Sequence, residues 1–292
     1  MARLLSLILL SLLPLRLFAF GTPPQKTEPQ NPPGESSATQ PESSAERLLQ
    51  ALLAGKMTAR QEQQLGERIA GNLLGVAPLV TDDGLQRYIN LVGRWVASQS
   101  ERPDLDWRFG VIESEDVNAF AAPGGYVMVT KGLYRRLNNE AELAGVLGHE
   151  IAHVLGRHHV KLLQRAQLLA SLSGAVGKQV PDEHERLQHI IGRGAEVAAR
   201  SLDKSSEFEA DRVGMVLAAR AGYDAYGLPL VLQEIGHFSG NDDRVALLFQ
   251  THPHPDARFD RLAEAVGTRL DSLEVGKLAA ERFYRIAPLT SQ

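Results

Sequence analysis

Cysteine is absent from the 292-residue chain. That excludes a thiolate metal site, a cysteine nucleophile, a disulfide framework and a lipid-modified N-terminal cysteine. A surplus of positive charge is missing too. Lys and Arg number 31 against 35 Asp and Glu, for a formal charge of -4 and a pI near 6.2. Neither nucleic acid nor an anionic membrane surface is favoured electrostatically by that balance. No internal repeat of solenoid length occurs. What is present, 43% hydrophobic and 23% charged residues, is an ordinary globular composition, enough for one substantial domain with extensions.

Long unbroken apolar runs are scarce, and the one at the N-terminus is brief. Arg3 is followed by an apolar stretch from Leu4 to Leu13, then Pro14, Leu15, Arg16 and Leu17 to Gly21. The stretch is short for a membrane span and is followed closely by Pro14 and Arg16. With small residues at Ala19 and Gly21 it fits a secretory signal peptide over 1–21, removed on export; an uncleaved anchor is the alternative. Residues 22–45 carry Pro23, Pro24, Pro29, Pro32, Pro33 and Pro41 among Gln, Ser, Thr and Glu. Such a segment cannot bury enough apolar surface to offset its ordering entropy and is expected to be a disordered linker. The folded domain is expected over 46–287.

Within it, apolar spacing is helical from Ala45 to about Gln99. Thr58 with Gln61 makes a capping pair, and Tyr88, Ile89, Val92, Trp95 and Val96 share one helical face. Alternation at Leu105, Trp107, Phe109 and Val111 then signals a strand. Val117 to Ala121 leads through Pro123, Gly124 and Gly125 into a further strand, Tyr126, Val127, Met128, Val129 and Thr130. A small antiparallel sheet is expected here. Helical patterning resumes after Lys131. Asn139 with Glu142 opens a long helix running toward Leu169, a break is expected over Ser173 to Lys178, and further helices are expected near 183–200, 206–221, 226–237, 255–266 and 273–285. The fold class is α+β, mostly helical.

The segment Gly148-His149-Glu150-Ile151-Ala152-His153 contains H-E-x-x-H. On a helix, positions i and i+4 lie about 40° apart, so His149 and His153 can share a metal ion, with Glu150 placed as general base toward its water. A catalytic site of this type needs a third protein ligand and an open position. Ser206-Glu207-Phe208-Glu209-Ala210-Asp211 supplies one. Glu207 and Asp211 are four apart on one face that continues through Gly214 and Ala218, whereas Glu209 lies about 200° around the helix. Small residues there, and Gly145, Ala152 and Gly156 on the motif helix, are expected to let the two backbones approach. Glu207 is the expected ligand. Asp211 is expected to accept the second ring N–H of a ligand histidine.

These segments together resemble a known family. Asn118-Ala119-Phe120-Ala121 through Gly124-Gly125, then H-E-I-A-H, E-F-E-A-D and Thr251-His252-Pro253, are similar to the HtpX and CAAX-prenyl-protease group of gluzincin zinc metallopeptidases. Within it they are similar to the exported, periplasmic BepA-like and mitochondrial Oma-like branch. The resemblance spans roughly residues 60–265. It implies a zincin-type domain with its sheet beside the active-site helix, one Zn(2+) per chain on His149, His153 and Glu207, and a metalloendopeptidase of envelope protein quality control. Asp203-Lys204 stands where the branch often has Ser-Arg, and the multi-span membrane segments of HtpX and the prenyl proteases are absent. His252 matches the family's His-Pro position, as a fourth ligand or a solvent-exposed loop histidine. Arg258 matches a family Arg, as an oxyanion stabiliser or a partner to a carboxylate.

Tyr126–Thr130 is a candidate edge strand for pairing with extended substrate. His158, His159, His184, His189 and His237 have no spacing partner and are expected at the surface or in packing. Partners are unfolded or misassembled proteins, with peripheral association to the membrane or an envelope complex and no nucleic acid; the compartment is the periplasm, as a free or membrane-anchored protein. The rival function is a latent protease acting mainly as a chaperone-like binding factor.

Overall fold

The computed structural model describes residues 44–172, 203–238, 242–252, 254–266 and 276–285. The signal segment, nearly all of the linker, the break at 173–178 and the helix near 183–200, with His184 and His189, lie outside them. The last two linker positions open the first helix instead. Its members run in chain order as α1 (Ser44–Leu53), α2 (Ala59–Val76), α3 (Asp83–Ala97), β1 (Arg108–Ile112), β2 (Ala119–Ala122) and β3 (Tyr126–Thr130). They continue as α4 (Lys131–Tyr134), α5 (Glu140–Leu155), α6 (His158–Leu172), α7 (Lys204–Arg220), α8 (Gly227–Gly236), α9 (Ala246–Thr251), α10 (Pro255–Val266) and α11 (Ala280–Arg285). The domain is α+β and mostly helical, and none of the described helices is long and apolar enough to cross a membrane.

Helix starts follow local chemistry. Thr58 caps α2 in a full capping box with Gln61. Asn139 accepts the Glu142 N–H at 2.9 Å and donates its amide to the Glu142 carboxylate at 2.9 Å, fixing the start of α5. Asp203 caps α7 by accepting the Ser206 N–H and also pairs with Arg165 at 2.7 Å. The residue that departs from the family pattern is therefore a sound helix entry. The α3 face buries Tyr88, Ile89, Val92 and Val96, but Trp95 is exposed and uses its ring N–H on the Ala221 carbonyl at 2.8 Å.

The sheet corrects the antiparallel expectation. Its order is β1-β3-β2, with β2 antiparallel and β1 parallel to β3. The β2–β3 connection is a tight turn in which Gly124 (φ +78°) and Gly125 (φ +100°) take left-handed conformations, so that pair is a hairpin. The longer β1–β2 link instead leaves a slot for β3 between the two strands, which sequence adjacency could not show. Consequently Tyr126, Val127, Met128, Val129 and Thr130 form the central strand, wholly buried. Both of its edges are taken, and it cannot pair with substrate; β2 and β1 are the outer strands.

Helix α5 is buried on every side from Glu140 to Val154, as a helix must be when other elements surround it. It packs on α7, α8, α3 and β2. At its first turn the buried Glu140 carboxylate accepts the Tyr88 hydroxyl at 2.8 Å, the Tyr223 hydroxyl at 2.6 Å and Arg282 Nε at 2.6 Å. Those bonds tie α3, the loop after α7 and α11 to the start of the motif helix. A carboxylate there also suits the helix dipole.

Candidate metal centre

Helices α5 and α7 meet backbone to backbone. A Cβ on Gly148 would lie 2.7 Å from the Gly214 carbonyl, and one on Gly214 would lie 2.6 Å from the His149 nitrogen. The close approach was expected of Gly145, Ala152 and Gly156, but Gly148 carries it. Gly145 instead faces Leu228 of α8, and Gly156 faces His158.

That approach brings Glu207 onto the two histidines. His149 Nε2 and His153 Nε2 are 3.0 Å apart. Glu207 Oε2 lies 3.8 Å from the first and Oε1 3.5 Å from the second. His252, at the end of α9, places Nδ1 2.6 Å from Glu207 Oε2. One ligand atom from each of His149, His153, Glu207 and His252 falls within 4.8 Å of the others, and all four residues are buried. Glu207 Oε1 has no hydrogen-bond partner. An unpartnered buried carboxylate oxygen facing imidazole nitrogens is costly by itself, and a cation between them resolves it. The cluster fits a metal ion of the kind bound by nitrogen and oxygen donors.

The surroundings set the charges. Burial works to raise the Glu207 pKa, but hydrogen-bonded His252, with Arg258 and His149, brings the net direction down. His153 is held well below the usual histidine range by burial, reinforced by the neighbouring His149, so it stays neutral and able to donate a lone pair. Burial pushes Glu150 above the ordinary carboxylate range, against the pull of His149. A carboxylate raised in this way is better suited to take up a proton near neutral pH.

Behind the cluster, His149 Nδ1 lies 2.9 Å from Asp211 Oδ1. Arg258 of α10 holds that carboxylate through Nε at 2.9 Å and a second nitrogen at 2.5 Å. The guanidinium also stands 3.9 Å from Glu207. Of the two roles considered for Arg258, the geometry is that of a carboxylate partner: Nε and Nη2 bond Asp211, Nη2 also lies 3.3 Å from His149 Nδ1, and Nη1 is the nitrogen near Glu207. Glu209 points away, with its side chain 53% exposed. His237 is exposed as expected, and His254 pairs with Asp256 at 3.3 Å.

One residue was missed. His158, assigned to surface or packing, is 2% exposed and sets its Nδ1 2.9 Å from His153 Nδ1. The long helix expected toward Leu169 breaks at Gly156 and Arg157, and the break turns His158 back. The glycine was the available signal.

A family model described as peptidase family M48 matches residues 84–266, more than half of the chain. The chain belongs to peptidase family M48. Among curated relatives, the β-barrel assembly-enhancing protease of Escherichia coli (strain K12) is 32% identical over 206 residues, 68% of this chain and 42% of the relative. The protein of that name in Yersinia pestis is 31% identical over the same shares. The mitochondrial metalloendopeptidase OMA1 of Arabidopsis thaliana is 31% identical over 188 residues, 64% of this chain and 37% of the relative. The chain thus spans less than half the length of each of these three relatives. Its M48 region contains α5, α7 and α10, the helices that carry H-E-x-x-H, Glu207, Asp211 and Arg258.

Proposed function

We propose that this chain is a zinc metalloendopeptidase acting on unfolded or misassembled envelope proteins, with one zinc per chain held by His149, His153 and Glu207. The observation that carries the reading is the buried His–His–Glu–His cluster with Glu150 beside it. When bound, zinc polarises a carbonyl and brings the pKa of a coordinated water to about 7. The chain's own part is acid–base and positional. Glu150 accepts the proton of the attacking water at its carboxylate and delivers it to the leaving amine. Asp211, held by Arg258, keeps the proton of His149 on Nδ1, leaving Nε2 free to ligate.

Two features favour an unfolded polypeptide as substrate. An apolar cavity walled by Leu133, Val146, Leu228, Val231 and Phe249 lies against His149 and Glu150, and unfolded chains expose apolar side chains that fit it. Ala119 of the outer strand β2 lines the same cavity, so β2, in place of β3, is the strand able to pair with an extended chain. The names of the enterobacterial relatives connect them with β-barrel assembly, which favours envelope proteins over other substrates. The N-terminal segment supports export to the periplasm, and mature protein recovered from the envelope should begin near Thr22. An intact N-terminus in the membrane fraction would favour the anchored form.

His252 supports a latch on the same site. A fourth protein ligand fills the position that the reacting water needs, so the loop carrying His252 would alternate between a closed and an open state. The chaperone-like alternative corresponds to permanent closure, and the peptidase family match with the protease names of the relatives favours a cleaving enzyme over it. One assay tests these readings: zinc-loaded mature protein with an unfolded substrate. Glu150→Gln should retain zinc and lose nearly all turnover, and His252→Ala should cleave faster. A Glu150→Gln variant at wild-type rate would remove the general base; slower cleavage by His252→Ala would make that residue a transition-state stabiliser.

A further inference from the structure

Helix α5 ends at Leu155, and Gly156 caps it at φ -72°. Arg157 then takes φ +52° and α6 begins at His158. On a continuous helix, residues five apart point about 140° from each other. The left-handed residue undoes that, and the His158 ring returns to the His153 ring, Nδ1 to Nδ1 at 2.9 Å. Two contacts hold the turn. A Cβ at Gly156 would stand 2.3 Å from His158 Nε2, so only glycine leaves the ring in place. Arg157 reaches the buried Glu62 of α2 at 2.6 Å. His158 Nε2 is buried without a hydrogen-bond partner, and Glu209 Oε2 lies 3.8 Å away.

A neutral imidazole has one N–H and one lone pair. His153 turns Nε2 into the metal cluster, 3.5 Å from Glu207 Oε1. Ligation there takes the Nε2 lone pair, so the proton must sit on Nδ1 and needs an acceptor. The atom at hydrogen-bond distance is His158 Nδ1. It can accept only with its own proton on Nε2, the side facing Glu209.

We propose that His158 is a positioning residue for the metal: it accepts the His153 Nδ1–H and so fixes the tautomer and ring plane in which His153 presents Nε2. The turn at Gly156 and Arg157 is built to deliver that acceptor. The proposal rests on the zinc reading above and assigns the same site an outer partner drawn from its own helix pair.

The test uses the full mature chain and two readouts besides activity. Zinc affinity is measured by chelator competition for wild type, His158→Phe and His158→Asn. Phe keeps a ring but offers no acceptor, whereas the Asn carbonyl oxygen falls near the place of Nδ1. His158→Phe should bind zinc roughly 10- to 100-fold more weakly, and His158→Asn should recover most of that loss. Nitrogen NMR of histidine-labelled, zinc-loaded wild type should find His153 protonated on Nδ1 and His158 on Nε2. That measurement needs no variant, so a poorly folding His158→Phe leaves the proposal falsifiable. Wild-type zinc affinity in His158→Phe, or a His158 protonated on Nδ1, would overturn the role of His158 alone. A wild type that binds no zinc would overturn the metal reading itself.

Discussion

His149 and His153 share a helix and a cluster, yet each is held from behind by different chemistry. His149 leans on the carboxylate of Asp211, and that carboxylate is pinned by Arg258 from α10. His153 leans on a neutral imidazole delivered by a turn in its own neighbourhood. The first support is charged, buried and assembled from three distant segments. The second is uncharged and local. A carboxylate makes the imidazole it holds a stronger donor, whereas a neutral acceptor fixes orientation with little electronic effect. The contrast also bears on folding: the His149 side exists only when α7 and α10 have docked on α5, so metal binding and that docking stabilise each other.

The largest expected effect would erase the contrast altogether. Alanine at His149, His153 or Glu207 should take zinc from about one per chain to nearly none by metal analysis, exceeding the roughly 10- to 100-fold loss typical of an outer partner. Retention of zinc by Glu207→Ala would break the ligand assignment.

How much of this was legible beforehand divides along the same line. The α5 start was readable because Asn139 and Glu142 are three apart, and H-E-x-x-H because helical geometry is local. Glu207 and Asp211 were readable as a pair for the same reason, although their meeting with α5 is not local. What sequence could not show depends on packing between distant segments. The direction of β1, the central place of β3 and the crossing at Gly148 all require knowing which elements are neighbours. Arg157 hid the helix break, since a bulky residue with positive φ is uncommon; with the helix read as continuous, His158 pointed away from the site. Arg258 was matched to the family, but its partner emerges only from the docking of α10.

The next effect separates stability from metal binding on the charged side. Asp211→Ala leaves Arg258 buried without its partner, so it should cost about 3–5 kcal/mol of stability in denaturant unfolding with chelator present. Zinc affinity should fall roughly 10- to 100-fold as well. Replacing both residues by apolar ones of similar volume, Asp211→Leu with Arg258→Met, should recover much of the stability but none of the affinity. His158→Phe should show the reverse proportion, with little stability lost, because no charge is stranded. Equal stability losses on the two sides would remove the distinction between ionic and neutral support.

The smallest effect is the most discriminating for the uncharged side. Glu209 sits two residues from both Glu207 and Asp211 in sequence but on the other face of α7. Its carboxylate is about half exposed and 3.8 Å from His158 Nε2, beyond hydrogen-bond length. Water screens such an interaction to about 1 kcal/mol or less. Glu209→Ala should therefore leave zinc stoichiometry at about one and weaken affinity by no more than about fivefold. The loss should vanish in a His158→Phe background, because Glu209 reaches the metal only through the Nε2–H of His158. A double-mutant cycle reads that coupling directly. An additive loss would mean that Glu209 acts on the site by another route, and a loss as large as that from Glu207→Ala would make it a ligand after all.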